Sequence, residues 1–441
     1  MPVYERVKMF KLAVVDIFNE PQYTLPIIKE LGPNSVIFYY SQIGEETYRP
    51  IIQDIQLAGI EIIKDDLNYS KARQHRIFYA DASKVAHARR ASQLPGQLMR
   101  PGRVLPATAA SMELLPYLKK NGARCICYFH SVDDVPRLHS IYPDDFFIAP
   151  CESLFYKGLG TGTFVRGPNG RPLAGRTEAG WEIAYAGPLN IGEEAIKAKA
   201  VPKEILQDQL AENLAVNLNK QLPVLSYFLH ARSDTFVLAK GLTRLAEYFN
   251  IIFKTANRPI PEIDLRGIEG YPSIFFNYNY KLNNIQRVAA DLVLSDLNSS
   301  GAITSLFLGL RYILCHTERY LVPPNYDDVL ANYTRLLSDP MDIKVRLACC
   351  LRPISLQATE MIIERFHDQQ YWAQYDAELP RLKQVVLGDH RVGKPALRKA
   401  AELIRQVLTK GSFWPEMDTG AELEVVKWPG RPYNPPIDLN L

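Results

Sequence analysis

The sequence predicts an α/β protein made of two successive Rossmann-like units followed by a helical C-terminal region. Short apolar runs alternate with helical patterns from Lys11 to Ile148, and the same rhythm returns from Leu222 to His316. Strands that alternate with helices need crossover connections, and these give a mostly parallel sheet covered on both faces. From Asp327 onward the periodicity is almost wholly helical. The expected boundaries are residues 1–187, 188–325 and 326–441.

In the first unit the strand candidates are Lys11 to Phe18, Ser35 to Tyr40, Ile60 to Lys64, Arg76 to Tyr79, Arg124 to Phe129 and Asp145 to Ile148. Helical patterns fall at Pro21 to Leu31, Glu45 to Leu57, Asp81 to Ser92 and Ala107 to Lys120. Leu159 to Gly180 is rich in glycine and poor in aliphatics, which predicts a mobile loop or a hairpin at the edge of the unit. Trp181 to Tyr185 returns to strand character, and the charged helical stretch Gly192 to Asn219 is the expected crossover between units.

The second unit reads as strand Leu222 to Leu229, a helix through Tyr248, strands at Asn250 to Lys254 and Ile274 to Tyr278, and a helix near Asn283 to Ala290. It ends in Ala289 to His316, around which the chain is organised. There, Val293 and Leu294 close an apolar run at Ser295-Asp296, and Asn298-Ser299-Ser300-Gly301 opens an amphipathic segment through Leu310: strand, tight turn, helix, strand. The first turn of a helix leaves N–H groups unpaired and carries partial positive charge, and two hydroxyls with a glycine let phosphate oxygens approach. Ser299, Ser300 and Gly301 are therefore the leading phosphate contacts, although Asn and Ser are equally ordinary N-cap residues. Arg232 and Lys254 each end a strand of the same sheet, and a cationic pair beside a helix N-terminus suits a diphosphate. Either residue alone also reads as solvation of a strand end.

His130 directly follows a strand of the first unit, at the carboxyl end where such sheets collect ligands. An imidazole there can serve as a general base, oriented by Asp133 or Asp134, or can simply cap the loop.

Composition bounds the remaining choices. Of 441 residues, 47% are hydrophobic and 22% charged, as in an ordinary globular protein, and a net charge of +3 says little about partners. No basic run is interleaved with stacking aromatics, so nucleic acid is not an expected partner. The six cysteines include no CxxC pair, and Cys125 and Cys127 are expected as small buried residues on one strand face. No metal is expected, Asp133-Asp134 and Asp144-Asp145 reading as loop acids. The apolar run near the start is too short for a spanning helix and lacks a cleavage pattern, so a cytoplasmic protein is expected, with docking at the inner membrane face left open. Trp428 to Leu441 is proline-rich and expected to be extended or disordered; Pro353, Pro380 and Pro395 are expected to punctuate the C-terminal helices.

Two α/β units with a phosphate turn in the second resemble the grammar of GT-B glycosyltransferases. Taken in order, FHSVDDV at His130, DDFFIAPCESLF from Asp144, AYAGPLNIGEEAI from Ala184, YFLHARSDTF from Tyr227, NIIFKTANRP from Asn250 and ADLVLSDLNSSGAITSLFLGL from Ala290 resemble the motifs of the CDP-glycerol glycerophosphotransferases. That family comprises teichoic-acid primases and polymerases with related capsule transferases. The resemblance covers roughly residues 120–320. It implies two domains facing a cleft, His130 as acceptor-side base, and Arg232, Ser295, Asp296, Ser299 and Ser300 around the diphosphate of a CDP-linked donor, with helix dipoles and cations in place of a metal and no cofactor. The acceptor it implies is a polyol or glycan hydroxyl on a cell-surface polymer or lipid-linked chain.

Two departures stand out. Ser131 occupies the place of a family glycine, and the family's lysine-x-histidine-proline element reads Lys254-Thr255-Ala256-Asn257. The family's second histidine is thus missing unless Asn257 or His230 substitutes for it; an asparagine can hydrogen-bond a phosphate but cannot transfer a proton at neutral pH. The missing histidine keeps open a non-catalytic nucleotide-sugar-binding or scaffold protein on the same fold. A sugar-nucleotide epimerase or hydrolase is weaker still, with only Asp296 and Glu318 as nominated acids.

Overall fold

The computed structural model describes residues 12–15, 21–32, 35–40, 45–65, 77–81, 122–128, 145–189, 191, 193–228, 241–254, 270–295, 301–314, 356–387, 392–416 and 422–429. They fall into two compact units, one formed by Met1–Leu189 with Lys394–Arg431, the other by Asn190–Gly393.

The first unit begins β1 (Leu12–Val15), α1 (Pro21–Leu31), β2 (Ser35–Tyr40), α2 (Glu45–Leu57), β3 (Glu61–Asp65) and β4 (Ile77–Asp81). It continues β5 (Arg124–Tyr128), β6 (Phe146–Ala149), α3 (Glu152–Leu159), β7 (Gly162–Arg166), β8 (Pro172–Thr177) and β9 (Glu182–Tyr185). Six strands stand in the order β3-β2-β1-β4-β5-β6, all parallel, with β9 parallel beside β6. That order of six is the dinucleotide-fold order, with its switch point between β1 and β4. The inner strands β5, β6 and β9 are apolar in nearly every position because helices cover both faces of a parallel sheet. Ile126, Phe146, Phe147, Ile148 and Ile183 are all fully buried, each stabilising by about 1.5–3 kcal/mol. Cys125 and Cys127 are buried on one face of β5 with their sulfurs 3.3 Å apart.

The glycine-rich stretch forms the antiparallel hairpin β7–β8, which extends the sheet beyond β9. Asp81, expected to open a helix, closes β4, and the helices expected over 82–92 and 107–120 lie outside the described residues.

In the second unit, α4 (Glu193–Ala198) and α5 (Lys203–Leu214) divide the expected crossover helix at Pro202. Then come β10 (Val224–Phe228), β11 (Asn250–Lys254), β12 (Ile274–Asn277), α6 (Asn283–Ala289), β13 (Leu292–Ser295), α7 (Gly301–Leu308) and β14 (Tyr312–Leu314). All five strands are parallel, in the order β12-β11-β10-β13-β14. The amino edge of this sheet is closed by its own polar groups. Asp291 Oδ2 accepts the Val224 N–H at 2.8 Å, and the Asn250 amide donates to the carbonyls of Asn219 and Leu222, both at 2.8 Å.

The C-terminal region is shared between the units rather than standing apart as 326–441. Helices α8 (Leu356–His367) and α9 (Gln369–Leu387) belong to the second unit, whereas α10 (Lys394–Lys410) and β15 (Glu424–Trp428) belong to the first. The physical reason is amphipathicity: α10 buries Ala396, Ala400, Ala401, Leu403, Ile404, Val407 and Leu408 and packs on α1. β15 adds antiparallel to β7, a strand in a region expected to be helical up to its tail. Pro380 lies inside α9 instead of ending a helix, while Pro395 sits in the first turn of α10, where a missing N–H costs nothing. Among the described residues no helix is long and apolar enough to cross a membrane.

Candidate functional site

The connectivity of the second sheet singles out one place. From β10 the chain moves to β11 and β12 on one side, then returns to β13 and β14 on the other, so the direction reverses between β10 and β13. Ligands of open α/β sheets bind outside the carboxyl ends of the strands at such a reversal, because the two flanking connections diverge and leave a crevice. The strand ends there are level: Phe228 is in register with both Lys254 and Ser295, Lys254 with Asn277, and Ser295 with Leu314.

Of the residues expected in the site, Lys254, Ser295 and Gly301 are described, Ser295 as the last residue of β13. Lys254 is the last residue of β11 and is buried, its ammonium donating to the Asn277 carbonyl at 3.5 Å. It therefore belongs to a polar layer along the carboxyl edge of β11 and β12. Gly301 opens α7, six residues beyond the end of β13. No acidic residue stands in that first turn to offset the partial positive charge of the helix.

His130, Arg232, Asn257, Asp296, Ser299 and Ser300 lie outside the described residues. What the sheet fixes for them is the point from which each segment departs. Arg232 follows Phe228 by four residues, and Ser299 follows Ser295 by four; the two departure points are adjacent strands, about 4.8 Å apart. Asn257 follows Lys254 by three residues on β10's other neighbour. His130 stands two residues beyond Tyr128, whose hydroxyl accepts the Leu189 N–H at 3.0 Å.

Three residues at this edge were not singled out by their sequence. Gln286, on α6, is fully buried and joins three strands. Its amide donates to Ser226 Oγ at 2.8 Å and to the Ile252 carbonyl at 3.0 Å, and its Oε1 accepts from Asn277 Nδ2 at 2.6 Å. Asn277 Oδ1 then accepts the Asn279 N–H at 2.8 Å, turning the chain out of β12. Arg287 is buried one residue on, its guanidinium 4.1 Å above the Phe228 ring. Side chains on a helix lean toward its N-terminus, which carries this cation back to the carboxyl end of β10. The signal available in the sequence was weak, since Gln-Arg within an amphipathic helix reads as a solvent face.

The arrangement offers a rigid ledge with cations and a helix N-terminus at a strand reversal, which is chemistry for holding an anion. Asp145, considered as part of an acidic pair, is buried and spends Oδ1 on the Cys125 N–H at 2.9 Å. Among the described residues no group of three or more His, Cys, Asp or Glu side chains gathers as metal ligands would.

No protein-family model matches this sequence, and no curated protein matches it. Solved structures do. MurG of Acinetobacter baumannii is 9% identical with a TM-score of 0.42, over 90% of this chain and 99% of that one. The wall teichoic acid polymerase TagF is 13% identical with a TM-score of 0.46, over 92% and 89%. UDP-GlcNAc 2-epimerase of Neisseria meningitidis, bound to UDP-GlcNAc, is 12% identical with a TM-score of 0.44, over 91% and 99%. Likenesses at this level carry nothing about activity or ligand; the fold rests on the strand order and register above.

Proposed function

We propose that the chain is a GT-B-type transferase that moves a glycerophosphate, polyol phosphate or sugar from a nucleotide-diphosphate donor, CDP-linked by preference, to a hydroxyl of a cell-surface polymer or lipid-linked acceptor. One observation carries this reading. The segments bearing Arg232 and Ser299 to Gly301 leave in-register ends of adjacent strands at the reversal of the second sheet. In this reading the donor diphosphate sits on the Ser299–Gly301 turn, with Arg232 and Lys254 as cations and Asn257 and Asp296 bordering it. Charge developing on the departing nucleotide is met by fixed N–H dipoles and guanidinium, which need no reorganisation as the bond breaks. His130 accepts the proton of the attacking hydroxyl. No cofactor takes part, and contact with the inner membrane face follows from the lipid-linked acceptor.

The alternative is a protein of the same fold that holds a nucleotide-activated donor without turnover. The absence of the family's second histidine from Lys254-Thr255-Ala256-Asn257 favours it.

The test is thermal stabilisation by CDP, UDP, CMP, GDP and ADP, with wild type beside a Ser299→Ala/Ser300→Ala variant. One nucleotide is expected to stabilise the wild type by about 2.7 kcal/mol at a hundred times its Kd, and the variant is expected to lose the effect. No shift with any nucleotide at millimolar concentration would sink the donor site. Stabilisation without turnover of any acceptor, and unchanged by His130→Ala, would favour the binding protein.

A further inference from the structure

The outward face of α10 carries a charge pattern that the stability of the helix does not ask for. Its 17 residues hold five cations, Lys394, Arg398, Lys399, Arg405 and Lys410, against one carboxylate, Glu402. Lys394 opens the helix, and Arg398 and Lys399 follow one turn on. That is the end where the partial positive charge of a helix favours acids, yet no acid stands in the first turn. Lys394 and Arg398 are also four residues apart, a spacing at which like charges repel. The long helices of the second unit differ: α5 sets Lys203 against Glu204, Asp208 and Glu212, and α9 balances Arg381 and Lys383 with Asp376 and Glu378.

Two of the five cations are answered locally, Lys410 by Glu416 at 2.6 Å and Lys399 by Glu402 at 3.9 Å. Lys394, Arg398 and Arg405 are exposed and form no ion pair among the described residues. By helical geometry they fall within about 40° of one another, on one stripe about 16 Å long. The face continues onto α1, which lies between α10 and α2. Arg405 donates to the Glu30 carbonyl at 3.1 Å, and the neighbouring Lys29 is exposed and likewise without an ion pair among the described residues. One helix further on, Leu57 ends α2 with 87% of its surface in water, the most exposed large apolar side chain among the described residues. α1 and α2 each pass into the next parallel strand after three residues, so Lys29, Leu57 and Arg405 stand at one end of this helix layer.

We propose that Lys394, Arg398, Arg405 and Lys29, together with Leu57, form a docking face for an anionic membrane surface. Unpaired cations along helices that lie flat can each reach a headgroup phosphate, and a leucine standing in water is stabilised by entering the acyl boundary beside them. Nucleic acid would use the same cations but offers nothing to an isolated leucine, and α10 has no aromatic ring on which a base could stack. The proposed function gives this face its use, holding the first unit against a bilayer that bears the acceptor, and to that extent the proposal rests on it. The donor site takes no part.

The test is co-sedimentation of the full chain, without nucleotide, with vesicles of equimolar phosphatidylcholine and phosphatidylglycerol, beside vesicles of phosphatidylcholine alone. Wild type is expected to bind the anionic vesicles, to leave them as salt rises and to ignore the neutral ones. Arg398→Gln and Arg405→Gln are each expected to weaken binding about fivefold, and the pair more than about tenfold. Arg398 makes no hydrogen bond among the described residues, so its variant removes charge without disturbing the fold. Arg405→Lys keeps the charge and is expected to bind as wild type. Leu57→Ser is expected to weaken binding with an unchanged slope against salt, the mark of an apolar contact, whereas exposed Lys427→Gln on β15 changes neither. Equal sedimentation with both kinds of vesicle, none with either, or undiminished binding in Arg398→Gln/Arg405→Gln would overturn the proposal. Retention by random-sequence duplex DNA in place of vesicles would overturn it as well. Nucleotide stabilisation of the same protein reads the donor site separately: a chain that binds CDP and no vesicle loses this face alone, and one that binds anionic vesicles and no nucleotide keeps it.

Discussion

Phe228 and Ser295 are register partners, each the last residue of its strand, on the two strands between which the second sheet reverses direction. The segments that follow them therefore begin side by side, and residues four further on can meet one ligand. Arg232→Met and Ser300→Ala are each expected to weaken CDP binding by about tenfold or more, the loss of a charge-assisted hydrogen bond at roughly 1.5–3 kcal/mol. Combined, they should depart from additivity by more than about 0.5 kcal/mol. Isothermal titration of the four proteins checks this, and strict additivity would mean that the two segments do not share a ligand.

The Gln286 amide underpins that edge. Gln286→Leu leaves Ser226 Oγ, Asn277 Nδ2 and the Ile252 carbonyl without this partner in a buried place. A loss of about 2–4 kcal/mol is expected, each orphaned buried group costing roughly 1–3 kcal/mol. Denaturant unfolding measures it, with exposed Gln209→Leu as the control expected to change stability by less than about 0.5 kcal/mol.

In the first unit the buried carboxylate of Glu182 gathers the end of α10. It accepts from Ser412 Oγ at 2.8 and 2.9 Å, from the Phe413 N–H at 2.6 Å and from Arg176 at 2.7 Å. Glu182→Ala is expected to cost about 3 kcal/mol, in the range for hydrogen bonds to a charged group whose donors are then left unmet. Glu182→Gln should lose less, since its carbonyl oxygen still accepts. A loss under about 0.5 kcal/mol for Glu182→Ala would refute this role for the carboxylate.

Glu360 gives a pH signature. Its hydrogen bond to Arg244, 2.7 Å from the guanidinium Nε, holds the carboxyl below its ordinary value of 4.5. As pH falls the unfolded chain takes up this proton first, so the contribution of the pair is complete above 4.5 and is lost as pH drops through the lower folded value. The melting temperature of wild type should exceed that of Glu360→Gln at pH 7, and the gap should close on acidification. Because both groups are partly exposed, salt should narrow it as well. A gap that persists unchanged in acid would place the effect in packing and not in charge.

How legible all this was in the sequence depended on how local the cause is. Asn250 to Lys254 was bounded correctly because a fully buried parallel strand is a continuous apolar run, NIIFK, between polar turns. The helix over Pro21 to Leu31 and the hairpin in the glycine-rich stretch were likewise readable from periodicity and turn residues. Sheet order was not written in any one segment, since it depends on which distant strands pair. The placement of α10 escaped for the same reason: its apolar face is visible, but not that it packs on α1. At the candidate site, Lys254 and Gly301 could be nominated from strand ends and turn chemistry. Gln286 and Arg287 could not, because their functional neighbours Ser226 and Phe228 lie 60 and 59 residues away.

The first unit is built from both ends of the chain, with Arg405 on α10 reaching the Glu30 carbonyl of α1 at 3.1 Å and Arg124 reaching that of Gly411 at 2.8 Å. The ribosome delivers those partners late. At about 5–20 residues per second, roughly 10–40 s separate the emergence of Leu189 from that of Lys394. During that time the whole second unit can form on its own, while the nascent first sheet waits with the face of α1 uncovered and the edge of β7 unpaired. Order of completion thus inverts order of synthesis, and a chain cut short before Lys394 fails in the half that was made first.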